Sequence, residues 1–573
     1  MTSKWNHLPL TPEQELISAA LAVNYPQCPT ICRLLAQRGV TSTADAEKFF
    51  KPSMSDLHDP FMMKDMHTAV DRLNSAIGAK EKIMIYGDYD VDGITAVALV
   101  YRFLMNYYSG LDYYIPDRYD EGYGISTKSI DYAAENGISL IITLDCGIKA
   151  VEMIDYAHSK GIDFIICDHH VPDNKLPNAT AILNPKLEDE TYPYKHLSGC
   201  GVGYKFMQGF AISNDLDMTE LNSLLDLVAV SIVSDIVPIT GENRILTFHG
   251  MHRLNTNPSV GMRAIIRVCQ LHNRRNIDIN DIIFKIGPRI NASGRMESGE
   301  KAVALLVARD YNDAFRKSKE LEEYNQTRKE LDRRTTDEAN EILQTHIDID
   351  NRRSIVVYNK DWHKGIIGIV ASRFTEHYYR PAVVLTLSDG LATGSARSVQ
   401  GFDVYKAVES CRDLLENFGG HTYAVGLSLK EEHIKEFTQR FEDYVAQNIK
   451  PTQITPQIDI DTELQFSEIT PEFTTLLRNF NPFGPGNEKP IFLTRDVYDY
   501  GTSRLVGRNQ EHLRLELVDN MSGRIINGIA FNKHRYYEYI KSGKPFDICY
   551  TIEESLHNDD IQLTIKGIRC HDE

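Results

Sequence analysis

Ile83-Met-Ile-Tyr-Gly-Asp-Tyr-Asp-Val-Asp-Gly93 decides how the rest of this 573-residue chain is read. Its apolar start predicts a short buried strand. The strand breaks at Gly87 into a loop carrying Asp88, Asp90 and Asp92 at alternate positions before Gly93. Three carboxylates at one strand end repel one another and raise one another's proton affinity unless a cation neutralises them. Standing alone, such a run also looks like a solvated Asp-rich turn. What the chain brings beside it decides between the two.

Working outward, residues 65–255 alternate strand-length apolar runs with helical patterns. Strands are predicted at 83–86, 140–144 and 164–167, and helices at 95–107, 128–135 and, strongly apolar, 224–233. That alternation predicts a parallel sheet covered by helices on both faces, with ligands gathered at the carboxyl ends of its strands. Polar residues stand where the apolar runs end: Asp145 after Ile-Ile-Thr-Leu, Asp168-His169-His170 after Phe-Ile-Ile-Cys, and Asp235 after 228–233. Each alone has a plain alternative as a helix cap or a surface pair. Together they describe one hard-ligand site, since several Asp with one or two His and no Cys suit a pair of Mn²⁺ or Mg²⁺ ions.

The loop Asp88-Tyr-Asp-Val-Asp-Gly93, the segment Leu144-Asp-Cys-Gly147, the triplet Asp168-His-His170 and the pair Ser234-Asp235 resemble, in that order, the four motifs of the DHH phosphoesterase superfamily. Tyr86 stands where phosphatase branches often carry a His, which points to the nuclease side. The resemblance implies Asp90, Asp92, Asp145, His169 and Asp235 as ligands of two divalent cations, with Asp145 or Asp92 suited to bridge them. It also implies two catalytic groups: His170, donating to the phosphate or leaving oxygen, and Asp88, orienting from an outer shell.

Later stretches fit the same plan. Residues 256–350 read as a linker with a basic run at 262–276 (Arg263, Arg267, Arg274, Arg275), a turn within 284–295 flanked by Arg289 and Arg295, and a long charged helix from about 310 to 343. Residues 351–452 read as a second, smaller α/β unit with strands at 354–358 and 381–387 and a helix at 366–374. It has a turn at 393–398 bearing Ser395 and Arg397, and a glycine-rich loop at 418–426 bearing His421. This unit resembles the DHHA1 domain that follows the DHH domain and grips substrate, so Arg289, Arg295, Ser395, Arg397 and His421 are expected to hold substrate phosphates. In 453–573, Leu513, Leu515 and Leu517 alternate with Arg514 and Glu516, and further strand-like runs suggest an OB-like barrel for single-stranded nucleic acid. Residues 1–64 read as a helical cap packed on the segment next to it in the chain. The expected fold class is therefore α/β: two α/β domains joined by a long helix, plus a C-terminal β-barrel.

The composition sets bounds. A hydrophobic content of 42% with 25% charged residues is that of a soluble globular protein. The net charge of -18 argues against a uniformly basic nucleic-acid binder, so a polyanion must meet a focused patch helped by metal ions. Nine scattered cysteines frame no zinc knuckle; Cys28 and Cys32 lack a matching pair, and Cys146 and Cys167 end apolar runs. With no membrane-length apolar run and no signal-peptide core in Met-Thr-Ser-Lys-Trp-Asn-His, the expectation is a cytoplasmic protein without a membrane partner.

The function implied by the resemblance is a metal-dependent phosphodiesterase of DNA recombination and repair. It would be a single-stranded-DNA-specific exonuclease working 5′ to 3′ to mononucleotides, alongside a helicase and a single-stranded-DNA-binding protein. The polarity rests on the resemblance alone. Two alternatives stand beside it. One is a DHH-DHHA1 phosphodiesterase for cyclic dinucleotides or short oligoribonucleotides, which would not need the barrel. The other is a non-catalytic replication scaffold, which should have lost the metal ligands.

Overall fold

Strand Lys82–Gly87 runs between two parallel neighbours, Leu111–Tyr114 on one side and Ile138–Leu144 on the other. Asp163–Cys167 and Ala181–Leu183 extend the same five-stranded parallel sheet. Successive side chains alternate between its faces. Ile83, Ile85, Leu140 and Ile142 enter one apolar cluster, while Met84, Tyr86, Ile141 and Phe164 enter another. The sheet is therefore covered on both faces, with helices Val91–Leu104 and Gly199–Ser213 on the first and Thr127–Glu135 and Val151–Ser159 on the second. The computed structural model of the chain describes residues 3–274, 276–346, 349, 351–554 and 561–571. Arg275 of the basic run lies outside them.

The helix Tyr311–His346, 36 residues and so about 54 Å long, leads to the second sheet. That sheet has the order Leu415–His421, Ala424–Leu429, Leu391–Arg397, Ala382–Ser388, Ile355–Tyr358, with only the last pair parallel. At the C-terminus, strands Phe492–Asp499, Phe546–Glu554, Ile561–Cys570, Ile525–Ala530 and His512–Asp519 pair in that order. The last then pairs with the first, closing a five-stranded barrel. Leu513, Leu515 and Leu517 face its core. No helix among the described residues is long and apolar enough to cross a membrane.

Several local expectations need correction. The helix expected at 95 starts at Val91, because Asp90 caps it by accepting from the N–H groups of Asp92 and Gly93. The expected turn at 393–398 is the strand Leu391–Arg397. The glycine-rich loop at 418–426 is a hairpin, whose glycines pair across strands instead of lying open. The turn expected within 284–295 is helical: a π-turn over Ile282–Ile286 runs into helix Gly287–Met296, with Pro288 in its first turn where no N–H is required.

The N-terminal helices also pack elsewhere than on their neighbour in the chain. Strand Lys4–His7 pairs with Gln457–Ile460, and Leu21, Ile31, Leu34, Leu35 and Phe50 share an apolar cluster with Phe466, Phe480 and Tyr550 of the C-terminal unit. Cys28 and Cys32 are buried in that same cluster, where burial pushes the Cys32 thiol up to about 11. All nine cysteines are buried thiols.

Candidate metal centre and phosphate face

The first sheet reverses its winding between Lys82–Gly87 and Ile138–Leu144, and a crevice opens at the carboxyl end of such a switch point. Asp88 leaves one side of it and Asp145 the other. Asp168, His169 and His170 leave the next strand, and Asp235 arrives from the C-terminal end of helix Leu225–Ser234. Ligand atoms of Asp88, Asp90 and Asp145 lie within 4.8 Å of one another, as do those of Asp92, His169 and Asp235, and those of Asp145, His169 and His170. Every acid and imidazole predicted for the metal site is thus in one cluster, with Asp92, Asp145 and His169 buried and Asp90 and Asp235 half-buried. Asp88, expected in an outer shell, sits among the ligand-capable oxygens.

His169 shows the chemistry this cluster offers. Its Nδ1 lies 3.0 Å from the Leu197 carbonyl, which can only accept, so Nδ1 carries the proton and Nε2 the lone pair. Burial holds this imidazole down to about 4, hence neutral near pH 7. Nε2 faces Oδ1 of Asp145 at 3.0 Å, Oδ2 of Asp235 at 3.6 Å and Oδ2 of Asp92 at 3.8 Å. His169 Nε2, Asp145 Oδ1 and Asp88 Oδ1 are buried without a hydrogen-bond partner. Lone pairs converging with no donor among them are costly unless a cation takes them all, so the residues present fit divalent metal.

Proton affinities record the same stress. Burial, then the charges of Asp92, Asp90, Asp235 and Asp88, raise the Asp145 carboxyl well above the ordinary range. Burial and Asp90 do the same to Asp88. Burial with Asp92 and Asp90 pushes Asp235 up to about 8.

Two members are held by the scaffold. Asp92 accepts from the N–H groups of Gly199 and Cys200, each at 2.7 Å, at the positive end of helix Gly199–Ser213, and from Ser231 Oγ at 2.7 Å. A side chain at Gly199 would put its Cβ 2.5 Å from the Asp145 Cβ, so the helix end approaches this closely only as glycine. Asp168 is an anchor. Its Oδ1 accepts from the backbone N–H groups of His169 and His170 and from His170 Nδ1 at 2.8 Å, and Oδ2 accepts from Ile148 N–H. Burial opposes its charge, yet these bonds and the His170 imidazole bring it down to about 2. Burial likewise works against a charged His170, but the bond to Asp168 wins and raises its pKa.

Beside the acids lies an arginine cluster. Arg295 is half-buried, and its Nη1 donates to the Gly365 carbonyl at 3.0 Å. Burial, then Arg118, Arg328 and Arg397, bring its pKa down to about 10. Arg397 Nη1 donates to Ser395 Oγ at 2.7 Å and to the Ala396 carbonyl, and its pKa is lowered by burial and Arg118. Arg118 stacks 4.3 Å over the Tyr89 ring, and its charge bears on Asp88. Like charges bonded to carbonyls and a hydroxyl favour an anion between them.

His421 pairs across the hairpin with Ala424, which pairs with Arg397, so both sit at one end of the second sheet. Burial lowers the His421 pKa, and so do the charges of Lys149, His170 and Lys186, so the hairpin end lies within electrostatic reach of His170. Arg289 is elsewhere. Buried, it forms an ion pair with Glu322 of the long helix and donates to the Lys285 carbonyl, so its guanidinium ties helices together.

The sequence reading missed Asp168 as an anchor and missed Arg118. Arg118 follows strand Leu111–Tyr114 in a polar, glycine-containing loop, so the same carboxyl-end rule that singled out Asp145 points to it.

An acid and imidazole cluster at the switch point of a parallel sheet, faced by a second domain carrying basic groups, is the arrangement of the DHH class. Family models agree: residues 82–232 match the DHH family, N-terminal domain, 351–447 the DHHA1 domain, and 460–567 the RecJ OB domain. The chain belongs to the RecJ family within that class. It is 35% identical to the single-stranded-DNA-specific exonuclease RecJ of Bacillus subtilis (strain 168), over 94% of this chain and 67% of that protein. It is 34% identical to RecJ of Escherichia coli (strain K12), over 94% of this chain and 96% of that one. The crystal structure of RecJ from Thermus thermophilus in complex with Mn²⁺ shares the fold, with a TM-score of 0.83 at 24% identity over 99% of this chain and 80% of its own.

Proposed function

We propose that this chain hydrolyses single-stranded DNA from its 5′ end to mononucleotides, with two divalent cations, Mn²⁺ or Mg²⁺, held by the switch-point cluster. The observation that carries the reading is the trio of buried acceptor atoms without donors, Asp88 Oδ1, Asp145 Oδ1 and His169 Nε2. Asp92, His169 and Asp235 would hold one ion, and Asp88, Asp90 and Asp145 the other, with Asp145 Oδ1 also 3.0 Å from His169 Nε2 of the first set. Bound cations supply an activated water and screen the phosphate charge.

The residues do the rest. Asp168 fixes the His170 ring and raises its proton affinity, so His170 can donate to the phosphate or the departing oxygen. Arg295, Ser395 and Arg397, with Arg118, grip the terminal phosphate, and His421 closes over it. A grip on an end beside the reacting centre makes an enzyme that works from that end.

Similarity to the RecJ relatives spans the barrel, which sets aside a two-domain cyclic-dinucleotide phosphodiesterase. The intact ligand set speaks against a scaffold. A role in DNA recombination and repair in the cytoplasm belongs to the same reading. A helicase and a single-stranded-DNA-binding protein would supply and present the unwound strand.

The test is degradation of single strands blocked at the 5′ or the 3′ end, with Mn²⁺, Mg²⁺ or chelator. Protection by the 5′ block and by chelator is expected; resistance of the 3′-blocked strand in both metals would refute the reading.

A further inference from the structure

Asp235 is the acid of the cluster delivered by the C-terminal end of a helix. It caps helix Leu225–Ser234, and the chain then turns through Ile236, whose φ of 59° is left-handed, before helix Gly241–Thr256 begins. What fixes the path between them comes from a distant part of the sequence. Ile239 N–H donates to the Pro485 carbonyl at 2.7 Å. Ile239 is buried, and a Cβ at Gly484 would lie 2.4 Å from its Cδ1, so the backbone of the 481–487 loop presses directly on this side chain.

The loop is itself braced. Asn487 Nδ2 donates to the carbonyls of Phe480 and Pro482, each at 2.8 Å. Arg38 of the N-terminal helices donates to Asn487 Oδ1 at 2.9 Å. Arg244, just inside the helix after Asp235, donates to the carbonyls of Asn479, Phe480 and Phe49. A few residues past the loop, strand Phe492–Asp499 enters the barrel.

We propose that the 481–487 loop is a positioning device for Asp235: by packing on Ile239 it sets the placement of that carboxylate, and through it the C-terminal unit governs how tightly the cation beside Asp92 and His169 is held. This rests on the reading of Asp235 as a cation ligand. A ligand's supporting contacts set its geometry, and disturbing them lowers metal affinity by about 10- to 100-fold. The Ile239 amide is four residues from Asp235, with one left-handed turn and one proline between, so little slack separates the buttress from the carboxylate.

The test uses the full chain with Gly484→Ala, Ile239→Val and both together, titrated with Mn²⁺ in the absence of DNA by calorimetry. Single-strand affinity in chelator and the melting temperature are measured on the same samples. Gly484→Ala should weaken Mn²⁺ binding by about tenfold with strand affinity unchanged. Adding Ile239→Val, which removes the Cδ1 methyl and leaves a γ carbon 2.9 Å from the new Cβ, should restore it in part. Loss of melting temperature with Mn²⁺ affinity unaltered would reduce the loop to a structural tie and overturn the proposal.

A wild-type chain that binds no Mn²⁺ would instead bring down the cation reading itself, and this proposal with it. Hydrogen exchange on the wild type keeps the proposal testable if Gly484→Ala does not fold. Coupling is reciprocal, so Mn²⁺ should slow exchange across 479–488 as well as 236–244. Protection confined to the second segment would contradict the proposal.

Discussion

The imidazole Nε2 of His169 points its lone pair at Oδ1 of Asp145 from 3.0 Å, with the proton of the ring committed on the other side to Leu197. Between these two acceptors only a proton taken up by the carboxyls or a cation can sit, which makes the centre depend on what binds there. The consequence is a stability that varies with pH. Asp235 is held up to about 8, and Asp145 and Asp88 are raised, whereas in the unfolded chain such carboxyls titrate near about 3.9. Between these values the metal-free native protein holds carboxyl protons that the unfolded chain has lost, so its stability falls as pH rises from about 4 to about 8, most clearly above about 6.5, where the opposite contribution of His169 has ended. Mn²⁺ replaces those protons, and its stabilisation should grow over the same window. Melting curves at several pH values, in chelator and in Mn²⁺, check this. Parallel curves would contradict it.

Asp168 lets a single substitution separate fold from chemistry. Asp168→Asn keeps the shape but turns an amide N–H₂ toward N–H donors of His169 and His170 or of Ile148. Activity should fall by about 10- to 100-fold. The alkaline limb of the pH–rate profile should also move to lower pH, because His170, which must be protonated to donate, loses the carboxylate that raises its pKa. An unmoved profile would mean that His170 takes no part in proton donation.

Much of the fold was legible because burial on both faces writes continuous apolar runs, and those runs end in polar residues where the strands end. Gly87, Leu144 and Cys167 mark such ends, and the acids and imidazoles follow them. The helix over Gly287–Met296 was not legible, since its glycines, proline and asparagine are turn residues by local preference and only packing on the long helix makes them helical. Nor was the partnership of the N-terminal helices with the barrel, which joins segments far apart in the chain in one apolar cluster. Removing residues 455 to 573 would therefore uncover Ile31, Leu34 and Leu35 as well as the 481–487 contact, so that truncation tests far more than strand binding.

Arg289 and Arg397 were expected to act alike, and the structure separates them. Arg397→Ala should reduce the preference for a 5′-phosphorylated end by about 1.5–3 kcal/mol, the usual contribution of a charge-assisted bond, with little change in melting temperature. Arg289→Ala leaves Glu322 half-buried without its partner and should destabilise the fold by roughly 2–4 kcal/mol while the phosphate preference stays. Rates on 5′-phosphate and 5′-hydroxyl strands, beside urea unfolding, distinguish the two. Identical behaviour of the two variants would contradict this placement.

The central claim is that the switch-point cluster performs metal-dependent cleavage while other surfaces bind the strand. Hydrolysis of a 5′-phosphorylated single strand in Mn²⁺ by Asp145→Ala, beside strand binding by the same variant in chelator, tests it most directly. Cleavage should drop by about a thousandfold or more, as expected when several kcal/mol of metal-borne stabilisation are lost, with binding retained within a few-fold. Cleavage that survives the substitution, or binding lost in step with it, would contradict the account.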